Sequence, residues 1–234
     1  MPWTLKVYDS RAQAAEALAE SVADSLRAAL EARGRAALAV PGGTTPEPFL
    51  HALAQQCLDW LRVDVLPSDE RWVPEVHPRA NAGLIRRSLL SGRAGQARLL
   101  PLYAEGETPE RGVEKVEARL RAQLGVPPVL DVAVLGMGED MHVASLFPGA
   151  QGLAAALDPD GDRNIAAIRA AGAGEPRVTL TLPFLARARG LHVLIFGEKK
   201  RAVLERAAKT APQDSPIRAV ADAAQSSPCV HWAP

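Results

Sequence analysis

The chain is poor in what would support disulfide or metal-thiolate chemistry. Its 234 residues include only two cysteines, Cys57 and Cys229, far apart and with no second thiol near either. Neither a disulfide framework nor a zinc knuckle is indicated, and the expected compartment is a reducing one. No pair or triad of residues has the sequence spacing of a metal site, so none is expected. Net charge is also lacking: 27 basic and 27 acidic residues cancel. That removes the basic excess on which a grip on nucleic acid or an anionic membrane depends. No segment approaches the roughly 20 apolar residues of a membrane span. The N-terminal MPWTLKVYDS meets charge before a signal-peptide core can form. A cytoplasmic protein without nucleic-acid or membrane partners is therefore expected.

What the chain does have is an ordinary globular composition, 47% hydrophobic and 23% charged, and a length within reach of one domain spanning 1–234. Strand and helix patterns alternate along it. Thr4 to Tyr8 reads as a strand. Ser10 and Gln13 form a capping box for a helix whose Leu18, Val22, Leu26 and Leu30 share one face, and Gly34 ends it. Strands are expected at Ala36 to Val40, Leu61 to Leu66, Arg98 to Leu102, Asp131 to Leu135, Asn164 to Arg169, Val178 to Leu182, Leu191 to Phe196 and Cys229 to Trp232. Helices are expected after Pro46, over Asn81 to Leu90, Thr108 to Leu124, Glu198 to Lys209 and Pro216 to Ala224. No repeat, heptad or low-complexity tract interrupts this order. Such alternation predicts a single α/β domain, a mostly parallel sheet with helices on both faces. Right-handed crossovers then bring the ends of three strands, and the polar loops that follow them, to one edge.

The first of those loops, Pro41 to Thr45, sets Gly42, Gly43, Thr44 and Thr45 at a helix N-terminus, where free N–H groups and the helix dipole attract an anion. A tight turn capped by Thr45 explains the same residues, and this loop by itself does not separate the two readings. It is not a Walker loop, because no Gly-Lys-Ser/Thr follows. The second, Pro67 to Ala80, opens on Asp69-Glu70-Arg71: carboxylates beside a guanidinium suit a hydroxylated anion, or else form a solvated surface pair. The third follows Asp131 to Leu135 and packs Gly136, Gly138, Glu139, Asp140, His142 and Ser145 into ten residues. His142 is the candidate general base, with Asp140 or Asp69 fixing its tautomer. A hydrogen-bonded structural histidine is the alternative. His51, His77, His192 and His231 have no comparable setting and read as structural or surface residues. Gly136-Met137-Gly138 only echoes a dinucleotide fingerprint, since Met141 stands where its third glycine belongs. No cofactor is expected.

Taken together the loops resemble the 6-phosphogluconolactonases, within the wider group that includes glucosamine-6-phosphate deaminases. The resemblance rests on GMGEDMHVASLFP from Gly136 to Pro148, Gly42-Gly43-Thr44-Thr45-Pro46, Asp69 to Pro74, PRVTLTLPFLARAR from Pro176 to Arg189 and Gly197-Glu198-Lys199-Lys200, in the family's order over nearly the whole chain. It implies a Rossmann-like fold of the sugar-phosphate isomerase/deaminase type and hydrolysis of 6-phospho-D-glucono-1,5-lactone. His142 would be the base, Asp69 would orient sugar or histidine, and Gly43, Thr44, Arg71, Arg177 and Lys199 would bind phosphate and hydroxyls. Such an enzyme would work on a small sugar-phosphate lactone as a monomer or weak homo-oligomer. Departures are Met141 for a glycine, Val143 for a threonine and Ala80 for a serine. A left-handed residue at 141 would cost methionine about 1 to 2 kcal/mol and open the way to a reshaped loop. Two rivals follow: a deaminase or isomerase of the glucosamine-6-phosphate type, and a sugar-phosphate-binding module without turnover. The deaminase pattern continues Phe-Asn-Glu-Pro where this chain has Ser145-Leu146-Phe147-Pro148.

Overall fold

A computed structural model describes residues 2–106, 108–172 and 174–234. In chain order the elements are β1 (Thr4–Val7), α1 (Arg11–Arg33), β2 (Ala36–Val40), α2 (Glu47–Ala54), β3 (Val63–Pro67), β4 (Asp69–Arg71), α3 (Asn81–Ser88), β5 (Arg98–Leu99) and α4 (Pro109–Leu124). There follow β6 (Val132–Leu135), α5 (Leu153–Ala156), β7 (Ile165–Ile168), β8 (Arg177–Leu180), α6 (Leu182–Ala186), β9 (Gly190–Phe196), α7 (Glu198–Ala207), α8 (Pro216–Ala223) and β10 (Cys229–Ala233).

Seven strands form one parallel sheet in the order β1-β10-β9-β6-β2-β3-β5. The expected architecture is present. Ser10 Oγ accepts from the Gln13 N–H at 3.2 Å, as the capping box requires, while Gln13 Oε1 reaches one residue further back and accepts from the Asp9 N–H at 3.0 Å. Gly34, at φ +72°, turns the chain out of α1. Residues of the central strands alternate between two cores. Leu38, Val40, Val132 and Val134 face the α1 and α2 side, whereas Ala37, Ala39, Ala133 and Leu135 face α4 and α7. Each buried leucine truncated to alanine in such a core costs roughly 2 to 5 kcal/mol.

Two expectations need correction. Asp69-Glu70-Arg71 is not loop but β4, which pairs antiparallel with β8, itself antiparallel to β7, in a second three-stranded sheet. The three-residue β4 is too short to show a period, so nothing in its sequence announced it. Arg98 to Leu102 shrinks to two residues of ladder in β5, because Pro101 has no N–H with which to extend it. No helix among the described residues is long and apolar enough to cross a membrane.

Strand order reverses between β2 and β6: the chain proceeds outward from β2 to β3 and β5, and outward the other way from β6 to β9 and β10. Ligands in open α/β sheets sit beyond the carboxyl ends of the strands at such a switch point. Here the loops after β2 and β6 flank it.

Candidate active site

At that switch point lies an open cleft of about 680 Å³, within the range of small-molecule sites. Gly42 to Thr45, Asp69, Arg71, His142, Arg177 and Lys200 line it. The loop after β2 contributes a helix N-terminus without a side-chain cap: Pro46 precedes α2 and no hydroxyl bonds its first N–H groups. The reading of Thr45 as a cap therefore fails; Pro46 and Pro48 carry no N–H and that of Glu47 turns to the Thr44 carbonyl at 3.4 Å, so within the first turn the Phe49 N–H is the donor left for an anion. Gly42 is required by a close approach, since a Cβ there would stand 1.9 Å from Asn81 Oδ1. Gly43 adopts φ +89°, which favours glycine.

Across the cleft, β4 and β8 carry Asp69, Arg71 and Arg177. Arg71 Nη1 donates to the carbonyl of Arg79 at 2.7 Å and to Asn81 Oδ1 at 2.9 Å. Its Nε finds no partner among the described residues, the kind of buried donor a ligand oxygen satisfies. Arg177 is buried, and its Nη1 stands 3.8 Å from Asp69 Oδ2. Asn81, which joins Arg71 to Asp69, is held by Glu70: the Glu70 carboxylate accepts the N–H groups of Asn81 and Ala82, both at 2.7 Å, and of Arg71 at 2.8 Å. Glu70 thus caps α3, whose own N-cap residue is Ala80. Burial pushes its carboxyl up to about 7, with those backbone donors opposing.

The loop after β6 presents His142. Asp140 Oδ1 accepts from His142 Nδ1 at 2.6 Å, which leaves Nε2 as the nitrogen with a free lone pair. Burial raises the Asp140 carboxyl, but the charge and hydrogen bonds of His142 outweigh it and hold the carboxyl below its usual value. Of the two carboxylates considered for orienting the imidazole, Asp140 does so. Asp69 is engaged instead by Ser145, whose buried hydroxyl donates to Asp69 Oδ2 at 2.5 Å. Ser145 is fully buried and does not line the cleft, so it is not placed as a nucleophile. Gly138 is the glycine this pair requires: a Cβ there would lie 2.1 Å from His142 Nδ1 and 2.4 Å from Asp140 Oδ1. Met141 has φ +68°, the left-handed conformation that its motif position calls for. The loop therefore keeps its turn despite the substitution, at the cost anticipated for a side chain with Cβ. The Ile217 N–H and Lys200 Nζ hold the carbonyls of Met141 and Met137 at 3.2 and 2.7 Å.

Lys199 departs from its expected place. Its ammonium pairs with Glu139 at 2.6 Å and its side chain is 77% exposed, away from the residues lining the cleft. One position along α7 swings the side chain by about 100°, and it is Lys200 that enters the wall. The glycine and lysine turn contains both residues, but the resemblance gave the binding role to Lys199 alone; helix phase decides for Lys200. Phe147 was also missed as a site residue. Its ring centroid lies 4.3 Å from that of His142 and 5.9 Å from the Arg177 guanidinium carbon.

Fold and cleft together define an α/β protein able to hold a small phosphorylated ligand beside a histidine–carboxylate pair. The chain belongs to the family of glucosamine-6-phosphate isomerases and 6-phosphogluconolactonases, whose model matches residues 9–232. It is 47% identical over 227 residues to a 6-phosphogluconolactonase of Mesorhizobium japonicum, covering 97% of this chain and 94% of that one. With a 6-phosphogluconolactonase of Rhizobium meliloti it shares 43% over the full length of both. The crystal structure of a 6-phosphogluconolactonase from Shewanella baltica superposes with a TM-score of 0.92 at 32% identity, covering 99% of this chain and 98% of that one.

Proposed function

We propose that this chain hydrolyses 6-phospho-D-glucono-1,5-lactone to 6-phospho-D-gluconate, the second step of the oxidative pentose phosphate pathway. Near-full-length likeness to 6-phosphogluconolactonases supports the substrate. The observation that carries the chemistry is the His142–Asp140 pair in one cleft with the Gly42 to Thr45 loop, Arg71, Arg177 and Lys200. The phosphate sits on the glycine loop and the cations, which places the ring carbonyl toward His142. Nε2 takes a proton from water as its oxygen attacks C1, and the tetrahedral adduct forms. Collapse breaks the bond from C1 to the ring oxygen, and the imidazolium returns its proton to that oxygen as it becomes a hydroxyl. Asp140 holds the tautomer and stabilises the imidazolium, a general-base role worth roughly 100- to 10,000-fold. No covalent enzyme intermediate is required.

Lactone hydrolysis is measured where the spontaneous reaction is slow, with glucosamine 6-phosphate tested in parallel. Hydrolysis well above background without ammonia release is expected. Ammonia release exceeding lactone hydrolysis would transfer the chain to the deaminase branch, and neither activity would leave a binding module.

A further inference from the structure

Cys229, isolated in the sequence, is not isolated in the fold. Parallel pairing of β9 with β10 sets it opposite His192, and His231 follows two residues later on the same face of β10. One ligand atom from each of His192, Cys229 and His231 lies within 4.8 Å of the others. His192 Nδ1 and His231 Nε2 already point at one another, 3.1 Å apart. The remaining nitrogen of His231 is bonded to the Tyr8 hydroxyl at 2.9 Å, the outer-shell contact that fixes which nitrogen of a liganding imidazole faces the metal.

We infer that His192, Cys229 and His231 form a binding site for a divalent cation of the zinc type, separate from the active-site cleft. Tetrahedral zinc with bonds of about 2.0 Å to nitrogen and 2.3 Å to sulfur needs ligand separations of about 3.4 to 3.6 Å. The two nitrogens nearly have that spacing. The sulfur must approach by at most about 1.2 Å, within reach of a rotation about the Cα–Cβ bond at half-buried Cys229. A thiolate and two imidazoles select zinc over magnesium or calcium, which prefer oxygen. Solvent reaches the site beside Cys229, so water supplies the fourth ligand. On binding, the thiol gives up its proton and the new bond is sulfur to metal, while the His192 proton moves from Nδ1 to Nε2. Lys6, register partner of His231 on β1, is the facing cation; it is exposed and able to turn away. His192 precedes Phe196, which lines the cleft, by four residues of strand, or about 13 Å. The ion would tie the C-terminal strand to the sheet rather than act on substrate.

Metal-stripped protein is titrated with Co²⁺ alone, whose thiolate charge-transfer band reports a sulfur ligand. One equivalent should produce that band together with the visible absorption of a four-coordinate site. Cys229→Ser should abolish the charge-transfer band, His192→Gln should weaken binding at least about tenfold, and Cys57→Ser should leave both unchanged. Stoichiometric Zn²⁺ should raise the melting temperature of the wild type and not that of Cys229→Ser, with circular dichroism confirming that the variant is folded. Absence of the thiolate band in wild type, or its survival in Cys229→Ser, overturns the assignment.

Discussion

The molecule uses histidine in two opposite ways, and the difference lies in what surrounds each ring. His142 stands on a loop beyond a strand end, its side chain 29% exposed, with a carboxylate on one nitrogen and the cleft before the other. His192 and His231 lie inside the sheet's α1 face, bonded to each other and to Tyr8, with no carboxylate among their described partners. Exposure and a carboxylate on one nitrogen leave the other turned to the cleft. Burial without one makes a pair that resists charging: it pushes His192 down to about 4 and His231 to about 3, with Lys6, and His192 itself in the case of His231, adding to the effect.

The largest effect should come from breaking the first setting. His142→Asn keeps a polar side chain but has no nitrogen that accepts a proton near neutral pH. It should lower kcat at least about 100-fold with binding of the phosphorylated lactone nearly intact. Near-normal kcat in a folded variant would mean that another group, such as Asp69, activates the water.

Next come the cations that place the substrate before that ring. Losing one charged hydrogen bond to phosphate costs about 1.5 to 3 kcal/mol, so Arg71→Ala and Lys200→Ala should each raise KM roughly tenfold or more. Both should narrow the preference over unphosphorylated gluconolactone. An unchanged preference removes the residue concerned from the phosphate site.

The second setting is broken by acid. Because the fold holds both pKa values below the unfolded value of about 6.5, the stability they confer is complete above that pH. It is lost as pH falls toward about 4, by up to about 1.4 kcal/mol per pH unit for each ring. Urea unfolding of metal-stripped protein at pH 7.5 and 5.5 should therefore show a pH dependence about 1 kcal/mol smaller in His192→Gln than in wild type. Equal dependences would place the acid sensitivity elsewhere.

Lys199→Ala should do least. An exposed ion pair such as Lys199 with Glu139 is screened by solvent and contributes little, and kinetic constants should stay within about threefold. A loss matching that of Lys200→Ala would show that the two lysines share the phosphate.

Much of this was legible in the residues, for reasons that are local. Apolar periods of 2 and 3.6, the Ser10–Gln13 capping box and glycines after strands depend on neighbours within a few positions, so β2, β6, β9, α1 and the loops beyond them could be read directly. Right-handed crossover chirality then sent those loops to one edge. For Met141 the glycine it replaces raised a left-handed conformation or a reshaped loop, and only the structure decided for the first. What lay outside the sequence depends on register and phase. Whether Lys199 or Lys200 enters the cleft is decided by the rotation of α7 against the sheet. That Asp69 to Arg71 form a strand is decided by β8, more than a hundred residues later. His192 meets Cys229 and His231 only because β9 and β10 pair in one register, and a slip of one residue would turn one strand's side chains to the opposite face.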